Sequence, residues 1–224
     1  SAAPAADQGA WDVPTTVTVL KVDARTQAPV AGAVIEVRAA DGSPVATVTT
    51  ADHPEPVVLG PGDYTAIEVR EPDGYLIDDP SPRPFAVGLL GGQVDLVWAD
   101  TPAAPVIRTR ASAPRATPGQ AVHDLLTVSG LPPSLAPFPV VVRYLGPVPP
   151  PADGDCATLS AAAFDAAPVI GSATVTVRGN GDVPTPTFAV PHQRGCTTFD
   201  AVSSAPLWPG GPLLHSPAND ADES

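Results

Sequence analysis

The chain has 224 residues, of which 16% are charged and 43% apolar, with 31 prolines, 19 glycines and a formal net charge of −13. Its eleven cations are dispersed, so there is no basic surface for nucleic acid and little attraction to an anionic membrane surface. No apolar run approaches the roughly 20 residues that cross a bilayer, and the proline and glycine content points to many short strands joined by turns.

Residues 1–13, beginning "SAAPAADQGAWD", carry no period and no basic-then-apolar leader, and read as an N-terminal tail at the start of a mature or excised piece. From residue 14 to 102 the pattern becomes regular. "TTVTVLKV", "AVIEVRAA", "PVATVTT", "PVVLG", "DYTAIEVR", "RPFAVGL" and "VDLVWA" alternate apolar and polar positions, and "DG" at 41–42, "GPGD" at 60–63 and "PDGY" at 72–75 punctuate them. Seven short strands over about ninety residues predict a β-sandwich.

"TPAAP" at 101–105 supplies a linker at 103–105, and residues 106–204 read as a second β-sandwich. Its strands are "PVIRTRAS", "HDLLTVSG", "FPVVVRYLG", "GSATVTVRG" and "PTFAVP", with "AAAFDAA" as a single helical turn. Cys156 and Cys196 match no metal or redox spacing. They read as a disulfide of an exported protein, which would close a loop contributing about 4 kcal/mol; two unpaired buried thiols are the alternative. Residues 205–224, "PLWPGGPLLHSPANDADES" in the main, have turn formers and charges but no period, and read as a C-terminal tail. The fold class expected is therefore all-β, two tandem immunoglobulin-like or prealbumin-like sandwiches with short tails.

One residue type is conspicuous by its rarity. Lys21 is the only lysine, while ten arginines occupy every other basic position. A guanidinium serves for charge and forked hydrogen bonds, but only an amine becomes neutral and nucleophilic when desolvated. Side chains alternate across a strand, so Lys21 shares a face with Val17 and Val19, Glu68 with Tyr64 and Ala66, and Asp100 with Val94, Leu96 and Trp98. Three ionisable groups on three core faces must be paired or neutralised, and with one another.

The same residues carry a family likeness. "VTVLKVDARTQAPVAGAVIEV", "LGPGDYTAIEVREPDGY" and "VDLVWADTP" occur in the order of, and resemble, the motifs of the Cna-B-type, SpaA-like (prealbumin-like) domains of Gram-positive surface proteins and pilins, over residues 15–102. The resemblance implies a spontaneous isopeptide bond in which Lys21 is the nucleophile, Asp100 the acceptor and Glu68 the proton shuttle. Asn is commoner than Asp at the acceptor position, so water rather than ammonia would leave here. Burial works in the same direction: it disfavours both charged forms, leaving a neutral amine beside a protonated carboxyl held at high effective concentration. A non-covalent buried salt bridge is the alternative. A bond between the first and last strands would route a pull on the termini through a covalent link.

The second half resembles, less specifically, β-rich domains of actinobacterial surface proteins, through Tyr144 near Gly146-Pro147, a cysteine soon after (Cys156) and another near the unit's end (Cys196). Weaker signals resolve to ordinary surface chemistry. His53, His123, His192 and His215 are scattered, "HPE" at 53–55 reads as an exposed turn, and "NDADES" at 219–224 lacks calcium-ligand spacing. No hydrolase elbow, phosphate loop or cofactor motif is present, so no cofactor or metal is expected and the only chemistry expected is the single-turnover cross-link. Trp11, Trp98 and Trp208 do not make an obvious sugar platform.

The leading expectation is a structural stalk or presentation module of a secreted or cell-wall-attached bacterial surface protein, extracellular, whose partners are neighbouring domains of the same protein. The alternative is an adhesin or carbohydrate-binding module with a host protein or glycan as ligand. A sortase-assembled shaft subunit ranks last, because it needs a second lysine and this sequence has none.

Overall fold

A computed structural model describes residues 14–219, and these form an all-β molecule that divides after Pro102 into two units. In the first unit the strands are β1 (Thr15–Asp23), β2 (Val34–Ala39), β3 (Pro44–Thr49), β4 (Glu55–Leu59), β5 (Gly62–Arg70), β6 (Tyr75–Leu76), β7 (Arg83–Val87) and β8 (Gln93–Pro102). They make two four-stranded sheets, in the orders β4-β1-β8-β6 and β3-β2-β5-β7. Every pairing is antiparallel except β1 with β8, the first and last strands, which run parallel side by side.

The period-2 alternation does what it should. Val17, Val19 and Trp98 from one sheet meet Ile35, Val37 and Ala66 from the other in a closed core. The turns are built as their residues dictate: Gly42 takes φ +85° between β2 and β3, where the Asp41 carboxylate accepts from the Ser43 backbone N–H and hydroxyl, and Gly74 takes φ +83° ahead of β6. The pair of residues in β6 is an eighth strand that the seven apolar runs do not announce. It is too short to show a period.

The second unit contains β9 (Val106–Ala111), β10 (Ala121–Val122), β11 (Asp124–Ser129), β12 (Phe138–Val148), β13 (Val169–Val177), β14 (Gly181–Pro184), β15 (Phe188–Ala189), β16 (Cys196–Ser203) and β17 (His215–Ser216). The sheets are β13-β12-β16-β17 and β14-β11-β9, with β10 and β15 as a separate pair. Tyr144 and Phe199 stack in the core with ring centroids 4.7 Å apart, and Phe188 packs tilted against both at 5.8 and 5.7 Å. Two short 3-10 turns, Cys156–Thr158 and Ala161–Phe164, occupy the long connection between β12 and β13.

Two features of this unit depart from the sequence reading. β16 is an interior strand hydrogen-bonded on both sides that the five alternating runs of residues 106–204 do not include. Its sequence, CTTFDAVS, is buried at most positions on both faces and so has no alternation to detect. The segment from 205 is also not a tail as far as residue 219. Leu207, Leu214, Ser216 and Ala218 are buried, and Ser216 pairs with Ala201 of β16. Prolines and glycines at 206 and 209–212 break the period while still letting isolated leucines turn inward, as the Leu207 N–H to Pro212 carbonyl bond shows. Trp208 packs partly buried against the same core. The N-terminal tail, Trp11 and the acidic run beyond Asn219 lie outside the described residues.

Candidate functional site

β1 carries Thr15, Val17, Val19, Lys21 and Asp23 to the interior. In the parallel register Lys21 stands opposite Trp98, so Asp100 is its diagonal neighbour, one inward step further along β8. A long lysine stem spans that diagonal. Glu68 comes from β5 in the facing sheet, where it is paired with Ile35. The sandwich thus closes three ionisable side chains from both its layers into one pocket of the core.

The contacts are short and dry. Lys21 Nζ lies 2.5 Å from Glu68 Oε2 and 2.5 Å from Asp100 Oδ1. Lys21 and Asp100 are 0% exposed and Glu68 3%. Burial, above all, pushes the Glu68 carboxyl up to about 7, against the pull of the Lys21 ammonium beside it, and the Asp100 carboxyl adds to the rise. Two carboxyls and one ammonium cannot all be ionised cheaply in such a place, so the neutral composition is one ammonium, one carboxylate and one carboxylic acid. Glu68 Oε1 and Asp100 Oδ2 are both buried without a hydrogen-bond partner, one on each acid.

Asp100 has a further neighbour that no strand pattern points to. The backbone N–H of Asp78, in the connection after β6, donates to Asp100 Oδ1 at 3.2 Å, and the Asp78 side chain is fixed in turn by the Thr101 hydroxyl at 2.8 Å. A backbone donor on the Asp100 carboxyl is an electrostatic aid to any step that builds charge on that oxygen. A nearby acid, Asp23, is kept out of the cluster: it accepts the Arg25 and Thr26 backbone N–H groups and the Tyr75 hydroxyl, and the Thr26 bond foremost holds its carboxyl below the usual range.

Residues 15–101 match the family model described as the SpaA prealbumin-like fold domain. The first unit is a SpaA-like prealbumin domain. Among solved structures, the chain is similar to BcpA, the major pilin subunit of Bacillus cereus, with 17% identity over 91% of this chain and 67% of that one and a TM-score of 0.39. Similar too are the major pilin SpaD of Corynebacterium diphtheriae (12% identity, 91% and 64% coverage, TM-score 0.38) and GBS52, the minor pilin of Streptococcus agalactiae (18%, 42% and 46%, TM-score 0.36). The chain spans from under half to about two thirds of the length of these proteins. No curated protein matches it.

Outside the SpaA-like domain, Cys156 and Cys196 are joined as a disulfide. The bond ties the first 3-10 turn to the start of β16, and Asn219 reinforces the junction by donating its side-chain amide to the Cys156 and Leu159 carbonyls. The second unit also holds a buried carboxyl of its own. Asp124, 0% exposed at the start of β11, completes no side-chain hydrogen bond of good geometry. Burial pushes it up to about 6, offset in part by the backbone N–H groups of Arg110 and Leu125. The four histidines play no part in the Lys21 cluster; His53 sits exposed between Asp52 and Glu55 at 2.7 and 3.2 Å. Among the described residues no group of three His, Cys, Asp or Glu side chains is placed to hold a metal ion, and no helix is long and apolar enough to cross a membrane.

Proposed function

We propose that this chain is a stalk or presentation module of a bacterial surface protein, and that its first unit is closed by an intramolecular amide between Lys21 and Asp100. The observation that carries the reading is the position of Lys21 Nζ, 2.5 Å from an oxygen of each of two acids with no solvent near any of the three. An arginine makes the better buried ion pair, so the placement of the sole lysine at this point favours chemistry over a salt bridge.

The step balances within the cluster. The ammonium gives a proton to the carboxylate of the acid pair, and the neutral Nζ attacks Asp100 Cγ to form the C–N bond. Oδ1, held by the Asp78 N–H, takes up the developing charge and remains as the amide carbonyl. Glu68 receives the second proton from nitrogen and passes one to Oδ2, which departs as the hydroxyl of water. One water leaves, the nitrogen keeps one hydrogen, and Glu68 ends as it began. Fixed strands supply the effective concentration that makes a single condensation feasible without turnover.

Intact-mass measurement is the test. The wild-type protein is expected one water lighter than its sequence with the disulfide accounted for, and Lys21→Ala or Glu68→Ala is expected at full mass. A full-mass wild type that is correctly folded would refute the bond and leave a buried ion pair. A module of this kind would meet neighbouring domains of its own protein in the first instance. A host-protein or glycan array reports on the adhesin alternative.

A further inference from the structure

Sheet edges are places where chains join, because they present unpaired backbone donors and acceptors, and proteins usually spoil them with proline, charge or shortness. In this molecule the rule is kept at almost every edge. β3 starts at Pro44, β4 contains Pro56, β7 contains Pro84, β14 ends at Pro184, and β9 carries Arg108 and Arg110. The edges β6 and β17, and the separate pair β10 and β15, are two residues long each.

β13 breaks the rule. It is an edge strand of nine residues, VIGSATVTV, with neither a proline nor a charge. Its ladder runs to β12 alone, and among the described residues no backbone hydrogen bond of 169–177 goes elsewhere. Ser172, Thr174 and Thr176 are exposed, and so is Val169. The strand is close to a palindrome about Ala173: antiparallel self-pairing would set Ser172 against Thr174, Gly171 against Val175, Ile170 against Thr176 and Val169 against Val177. Small hydroxyl and β-branched pairs of this sort are favourable across strands, and no like charges meet.

Charge points to the same occupant. Residues 1–102 carry fifteen acidic and five basic side chains, whereas residues 103–224 carry nine acidic and six basic. The unit that bears the free edge is the less charged one, net −3 against −10 for the first, so a second copy approaches it with less repulsion than it would meet at the first unit. We propose that β13 pairs antiparallel with β13 of a second copy about a two-fold axis near Ala173, doubling the four-stranded sheet. The proposal is independent of the cross-link in the first unit.

Sedimentation of the full chain over a concentration series tests it, with two variants that leave the interior untouched: Ser172→Arg with Thr174→Arg, and Ser172→Glu with Thr174→Glu. The wild type is expected to form a concentration-dependent dimer. Either variant alone is expected to weaken association by roughly tenfold or more, since two like-charge pairs then oppose each other across the junction. An equimolar mixture of the two is expected to recover a dimer of one copy of each. A wild type that stays monomeric throughout overturns the proposal, as does a dimer that the arginine pair leaves unchanged or a mixture that fails to associate. Unchanged near-ultraviolet circular dichroism of the variants separates lost pairing from lost folding.

Discussion

In the proposed condensation Asp100 supplies the acceptor carbon, and the backbone N–H of Asp78 donates to the oxygen on which charge would build. If that donor contributes, Asp78→Ala leaves the rate of condensation close to wild type, because the N–H survives, while Asp78→Pro, which removes it, slows the rate by about 10²-fold, the scale of a lost oxyanion donor. Time-resolved intact mass of newly synthesised chain, followed from cell-free translation, distinguishes the two variants. Asp124 makes a second test at this scale. Its folded carboxyl is raised from its ordinary 3.8 to about 6, so the folded state prefers the protonated form. Its contribution is complete below pH ~4 and is lost as pH rises through about 6. The loss amounts to something on the order of 3 kcal/mol at neutral pH. Asp124→Asn is expected to flatten this fall, with a gain in unfolding free energy at pH 7 and little change at pH 4, measured by denaturant titration at both.

Among the elements, the strands of the first unit were legible because each buries one face only, and the phases of Lys21, Glu68 and Asp100 follow from that alternation. The facing of β5 against β1 and β8 is a property of sheet order, which alternation does not encode; the resemblance of the motifs supplied it. What stayed hidden has a physical reason in each case. β16 is buried on both faces and shows no period, β6 is two residues long, and the Asp78 donor belongs to the backbone and leaves no mark on residue type. The segment 205–219 looked like solvent-facing chain because prolines and glycines separate its apolar residues. Its role in the core predicts that Leu214→Ala costs about 2–5 kcal/mol in unit-two stability, as for other buried leucines, read by denaturant unfolding with the first unit as an internal reference. A change under 1 kcal/mol, within the range of ordinary surface substitutions, would return that segment to the status of a tail.

Across the whole molecule, the parallel neighbours β1 and β8 place the two ends of the first unit's chain in one sheet, with Lys21 and Asp100 both near the C-terminal ends of their strands. Tension applied at the two termini therefore loads this pair in shear along the strands, not by peeling them apart one hydrogen bond at a time. With the amide in place, residues 22–99 form a closed ring that carries no load. That ring stores roughly 260 Å of contour length that a stretched chain never releases. In an optical trap, Lys21→Arg should show that extension step and the wild type should lack it, so the unit would behave under traction as a rod of fixed length, with little capacity to absorb a shock by lengthening.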